Sequence, residues 1–216
     1  MGEVELKEDI IRPCGTWLKY FGLAMLMQLI AFIVVGIMMV WEIVGLSQQY
    51  TTGAISETQF LEQALSIMKK YIIVFVVLIV IVAIVAIITG LKLMPLKDYN
   101  ILFLISGILI IVVYAIEIAS GAYTIYWVKN LTLAELQNIS ETMSGSPIYS
   151  FGVYPTIIAF LLLGIALYMF GNTYSEYEKA KTPGILIIIG AILVMFTIGY
   201  LLIMIGLIMA GGALQK

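Results

Sequence analysis

Runs of nearly uninterrupted apolar residues dominate this chain and leave it little freedom. About 18 or more such residues in succession suffice to cross a bilayer as a helix. Five runs qualify: residues 17–46, 71–93, 101–128, 153–171 and 184–214. Inside lipid no water satisfies a backbone N–H or C=O, so each run is expected to pair its own groups as an α-helix. The short alternating strands of a transmembrane barrel are not seen in the sequence. The expected fold is an all-α integral membrane protein: a bundle of about five transmembrane helices, one membrane-embedded domain over residues 1–216, multi-pass in the cell membrane. The polar segments are too short for a separate soluble core, and residues 47–70 and 129–152 are the expected outer loops.

Composition narrows the chemistry. The chain is 62% hydrophobic and 11% charged, with a net charge of -2; soluble domains are about 45–50% apolar and about 25% charged. No basic surface points to nucleic acid. Histidine is absent and Cys14 is the single cysteine, which argues against most metal, haem and zinc sites and against Ser-His or Cys-His catalysis. No cofactor and no enzymatic activity are expected. The segment before the first run carries Glu3, Glu5, Glu8 and Asp9 and no small-residue cleavage site, so it is expected to be retained rather than removed as a signal. Cys14, just before that run, is expected to be an inert thiol, with juxtamembrane acylation as the alternative.

Lysine and arginine favour the cytoplasmic side of a membrane. With the N-terminus inside, five spans put Lys7, Arg12, Lys19, Lys92, Lys97, Lys179 and Lys181 inside, and Lys69, Lys70, Lys129 and Lys216 outside. Seven against four, together with two Asn-x-Ser/Thr sequons at Asn130 and Asn138, gives the expected arrangement: N-terminus inside, C-terminus outside, and a glycan-bearing loop outside. Asn138 is the stronger acceptor, because Asn130 lies close to Trp127 and the bilayer. Trp17 and Trp41 are 24 residues apart, about 36 Å along a helix, so the first span is expected to tilt, to face a thick membrane or to project from it.

Helix starts are signalled by Ser56-Glu-Thr-Gln59 and Thr132-Leu-Ala-Glu135, both capping boxes. The helix begun at Ser56 is expected to run straight into the second span as one rod standing above the membrane. Thr182-Pro183 is expected to cap the start of the fifth span.

Glu117 draws the most attention, since an acid within a span is costly and has a functional use by default. It lies about 15 Å inward from Trp127 along the helix, on a face with Tyr114, Gly121 and Thr124. No Lys or Arg lies deep in any span. Its expected partner is therefore Gln28, a water, a cation or another subunit; otherwise it is held protonated. It is a candidate ion or proton site, or an acid that fixes packing. Glu42, at the outer end of the first span, is expected to be a solvated boundary acid. Gln28 is expected to hydrogen-bond between helices. Small residues at Gly184, Ala191, Gly199, Gly206, Ala210 and Ala213 lie on one helical face of the fifth span and are expected to pack it closely against a neighbour, within the chain or outside it.

The segment "LLLGIALYMFGNTYSEYEKAKTPGILIIIGAIL", with Gly164–Gly171, Tyr174 and the later Ile198–Leu202, resembles a family of Ile-rich multispan membrane proteins from thermoacidophilic archaea, catalogued as a domain of unknown function. The resemblance covers about 50 residues of the C-terminal third. It implies an archaeal, thermophilic setting with outward N-glycans and a thick tetraether membrane, and it carries over no functional residue. The chain is expected to be a non-catalytic accessory or scaffold subunit of a larger membrane assembly, respiratory or energy-converting or of the cell envelope, with an N-glycosylated outer loop. Its expected partners are the lipid bilayer, other membrane subunits and an N-glycan. The alternative is a small proton- or cation-coupled transporter or channel using Glu117.

Overall fold

A computed structural model describes residues 7–132, 147–194 and 197–215, with backbone alone at 147–153 and 197. Its helices are α1 (Glu8–Thr51), α2 (Glu57–Leu93), α3 (Ile101–Asn130), α4 (Pro147–Thr173), α5 (Lys181–Ile192) and α6 (Thr197–Ala213). Short 3-10 turns, Met94–Asp98 and Ser175–Ala180, join α2 to α3 and α4 to α5. The described residues are all-helical or in turns. Four helices, α1 to α4, are long and apolar enough to cross a membrane.

Local chemistry explains the ends. α1 stops at Gly53, whose φ of +73° is the left-handed conformation favoured by glycine; the Ala54 N–H closes the end by donating to the Gln49 carbonyl at 2.9 Å. α2 then starts on the expected capping box. The Gln59 N–H donates to Ser56 Oγ, and the Ser56 N–H donates to Gln59 Oε1 at 2.9 Å. From there α2 runs 37 residues unbroken to Leu93, the expected rod. The first outer loop thus shrinks from 47–70 to the few residues between Thr51 and Glu57. Thr182 does not cap α5, which begins one residue earlier, at Lys181, with Ala180 as its N-cap and no side-chain cap bond. Pro183 still falls in the first turn, where its missing N–H costs no helical hydrogen bond. Of the second capping box, Glu135 lies outside the described residues.

The fifth span is the main correction. Residues 184–214 do not form one crossing helix. The chain turns after Ile192, and α5 and α6 pack side by side as an antiparallel hairpin: a Cβ on Gly190 would meet the Gly199 carbonyl at 2.7 Å, and Gly206 packs on the Pro183 carbonyl and Ile187. At 12 and 17 residues, these helices reach about 18 and 25 Å, short of a ~30 Å hydrocarbon core. The hairpin therefore enters and leaves at one end. The Gln215 side-chain amide donates to Thr16 Oγ1 at 3.1 Å, and Gly211 lies against Gly15 and Lys19. Thr16 and Gln215 therefore meet at one end of the bundle, and nothing among the described residues supports the expected opposite placement of the termini.

Sequence neighbours are spatial neighbours around the bundle, and α6 closes the ring against α1. Glycine sets several of these contacts. A Cβ on Gly15 would meet the Gly211 carbonyl at 2.9 Å, one on Gly90 the Gly107 carbonyl at 2.7 Å, and one on Gly164 the Gly184 carbonyl at 2.8 Å. Backbones this close gain dispersion that lipid chains cannot replace. The bundle has two levels. At the proximal level, the end where Thr16 meets Gln215, Phe21, Phe103, Phe160, Leu163 and Ile187 are fully buried or nearly so. At the distal level α1 loses its cover: beyond Met25 its next buried residue is Leu46.

Candidate functional site

Glu117 sits where the two levels meet. One turn before it on α3, Tyr114 is buried and packs edge-on against Phe21 of α1, centroids 5.5 Å apart. Phe21 in turn stacks on Phe160 of α4 at 6.0 Å. These rings close the proximal level. Glu117 lies half-buried just beyond them, within electrostatic reach of Tyr114 and of Tyr200, the latter on the first turn of α6 beside the hairpin tip. Among the described residues none donates a hydrogen bond to Glu117. The arrangement can hold a proton or meet a donor that arrives from outside the described chain. Gln28, the partner considered from sequence, is half-buried on α1 and makes no hydrogen bond among the described residues.

The small residues divide between contacts inside the chain. Gly199 lies against Leu193 and Val194 at the hairpin tip, Gly206 against α5, and Ala210 is fully buried. They do not form one face of one helix, because the helix that would carry the face is broken after Ile192. Cys14 is fully buried, against the bundle rather than toward an acylating enzyme.

Asn130 closes α3, exposed, its side-chain amide donating to the Tyr126 carbonyl at 2.9 Å. Asn138 lies outside the described residues. Nearby, Lys69 Nζ donates to the Lys129 carbonyl at 3.3 Å, tying α2 to the end of α3.

Two clusters escaped the sequence. Glu42 is not simply solvated: Lys70 Nζ and the Tyr71 hydroxyl both donate to its Oε1 at 2.7 Å. The ammonium of Lys70 also stands 4.8 Å from the Tyr71 ring centroid. The clue was a lone acid beside Trp41 and a Lys-Tyr pair at the start of the next apolar run. At the proximal end Tyr99, Phe103, Phe170, Tyr174 and Tyr177 form a connected set of rings, and the Lys7 N–H donates to the Tyr99 hydroxyl at 2.7 Å. Burial, followed by the nearby Glu8 carboxylate, pushes the Tyr177 phenol above its ordinary value. A shallow cleft beside this cluster is lined by Glu8, Asp9, Arg12, Pro13, Thr16 and Trp17, all from α1. Among the described residues no three His, Cys, Asp or Glu side chains gather as metal ligands would.

The sequence profile of a family described as "Protein of unknown function (DUF973)" matches residues 16–214. That match takes in α1 from residue 16 onward and all of α2 to α6, not only the C-terminal third that carried the resemblance. No curated protein and no solved structure matches the chain.

Proposed function

We propose, from the premise that this chain belongs to the DUF973 family, that it is a non-catalytic accessory or scaffold subunit of a larger membrane assembly. The observation that carries the proposal is the filled proximal level. Phe21 packs ring against ring on Tyr114 and Phe160, and Phe103 on Phe170, in two groups within the bundle. The hydroxyls of buried Thr89 and Ser106 are spent on backbone carbonyls of Trp17, Val85 and Phe103. A core of this kind suits holding helices in place better than passing or transforming a polar substrate, which needs convergent polar groups.

The proximal end is proposed to be cytoplasmic. Leaving Lys216 aside, the other basic residues divide seven on the proximal side to three on the distal side, which favours a cytoplasmic proximal end. The segment from Asn130 to Asn138 then lies outside, available for N-glycans. An archaeal, thermophilic setting remains part of the proposal, resting on the Ile-rich resemblance.

Native membranes solubilised gently, with the chain pulled down and the complex weighed intact, test the role. Stoichiometric partners of other sequence support it; a lone monomer or homo-oligomer overturns it. A second reading is favoured by Glu117 at the meeting of the two levels beside Tyr114 and Tyr200: a proton- or cation-coupled transporter. It requires that proteoliposomes carry a flux and that Glu117→Gln abolish it while the bundle stays folded.

A further inference from the structure

We infer that the distal level beside the α5–α6 tip seats a transmembrane helix of a different protein, one carrying a Lys or Arg at mid-bilayer depth that pairs with Glu117. The inference rests on the accessory-subunit proposal and names its interface. Six helices surround the proximal core, but α5 and α6 stop at about 18 and 25 Å, so four helices continue past their tip. The side of α1 that Gly15 and Gly22 turn toward α6 continues uncovered there and is apolar: Ile33, Ile37, Val40 and Val44, at helical spacing, are 44–56% exposed. Ile192 and Ile198, flanking the hairpin tip, are 62% and 56% exposed.

Apolar surface alone would be covered by lipid. Glu117 makes the occupant specific. It is half-buried on the next turn beyond Tyr114, beside Tyr200 at the tip, and no described residue donates to it. Ionisable groups within the hydrocarbon layer generally pair with an opposite charge, and a carboxylate there selects a cation. A second copy cannot provide one at this depth. No Lys or Arg occurs between Lys19 and Lys69, between Lys70 and Lys92, between Lys97 and Lys129, or between Lys181 and Lys216. An occupant that crosses lipid must satisfy its own backbone, which makes it a helix.

The test places a photo-crosslinking amino acid at Ile33 or Ile192 in the full chain in its native membranes, with Ile105 on the proximal part of α3 as the control site. The expected result is a crosslink from both distal positions, but not from Ile105, to one transmembrane segment of another protein with a basic residue near its centre. Glu117→Gln should cut the yield at least tenfold while the purified chain still elutes as a single folded species. Glu117→Lys should abolish it, and placing Glu at the partner's basic position should restore it. That restoration separates lost pairing from misfolding. Crosslinks to lipid only, to a second copy, or to a helix without a basic residue overturn the inference, as does a yield indifferent to Glu117→Gln. If a stable complex is isolated and the distal probes stay silent, the interface is wrong and the subunit role stands. If no complex is isolated, both fall.

Discussion

Replacing Gly90 with alanine should separate α2 from α3 and destabilise the bundle. The added Cβ would sit 2.7 Å from the Gly107 carbonyl oxygen and 2.8 Å from Ile111 Cγ1. An ordinary contact needs roughly 3.5 Å, so the helices must part locally by about 0.8 Å. A gap of that size forfeits about a quarter to a half of each nearby contact well. Overpacking of this kind costs about 1–3 kcal/mol, roughly a 5- to 160-fold loss in the folded-to-unfolded ratio. Gly107→Ala should cost a similar amount, since its Cβ would lie 2.7 Å from the Gly90 carbonyl. The double variant is the sharper test. Once the first Cβ has parted the helices, the second finds room, so the pair should cost less than the sum by about 0.5 kcal/mol or more. Reversible unfolding in mixed micelles by SDS titration, followed by far-UV circular dichroism, measures all three. Near-neutral single variants, or costs that add, would refute the claim that this one contact sets the α2–α3 distance.

In a Cys14→Ala background, Lys7→Cys and Gln215→Cys should label with an impermeant maleimide from the same face of sealed vesicles, and Thr52→Cys from the other; labelling of positions 7 and 215 from opposite faces would mean that the C-terminal hairpin spans the membrane. Ser56→Ala removes one half of the capping box and should cost about 1 kcal/mol, read as faster amide exchange in the first turn of α2 with the rest of the helix unchanged. Native Cys14, fully buried, should react with maleimide only as the bundle unfolds, whereas a cysteine at exposed Gln49, beyond the apolar run, should react at once; equal rates would contradict the packing of α1 on α6. Asn138→Gln should remove a discrete sugar mass from the intact chain, and an unchanged mass would leave the outward loop resting on charge bias alone.

Much of the fold was legible because its causes are local. In lipid a backbone must bond to itself, so apolar runs become helices whatever surrounds them. The Ser56–Gln59 box acts over four residues, and α2 begins where it predicts. Glu117 stood out by composition alone, as an acid in an apolar run. Its surroundings did not, because Tyr200 lies 83 positions further along the chain and comes near only through the hairpin. The donors to Glu42 were hidden for the same reason: Lys70 and Tyr71 sit on another helix.

The sequence by itself determined that the chain is helical and apolar enough to lie in a membrane, that α2 begins from its cap at Ser56, and that its only deep charge is acidic. The tertiary structure alone decided that residues 184–214 turn back. Nothing between Gly190 and Gly199 is Gly or Pro, so no local signal breaks the run. Small residues spaced along one straight helix look the same as small residues divided between two short ones. The choice is made by the surfaces that receive them: α4 accepts Gly184 against Gly164, and α1 accepts Gly211 against Gly15. Both acceptors stand at the proximal level, and meeting both requires the chain to return to the end at which it entered.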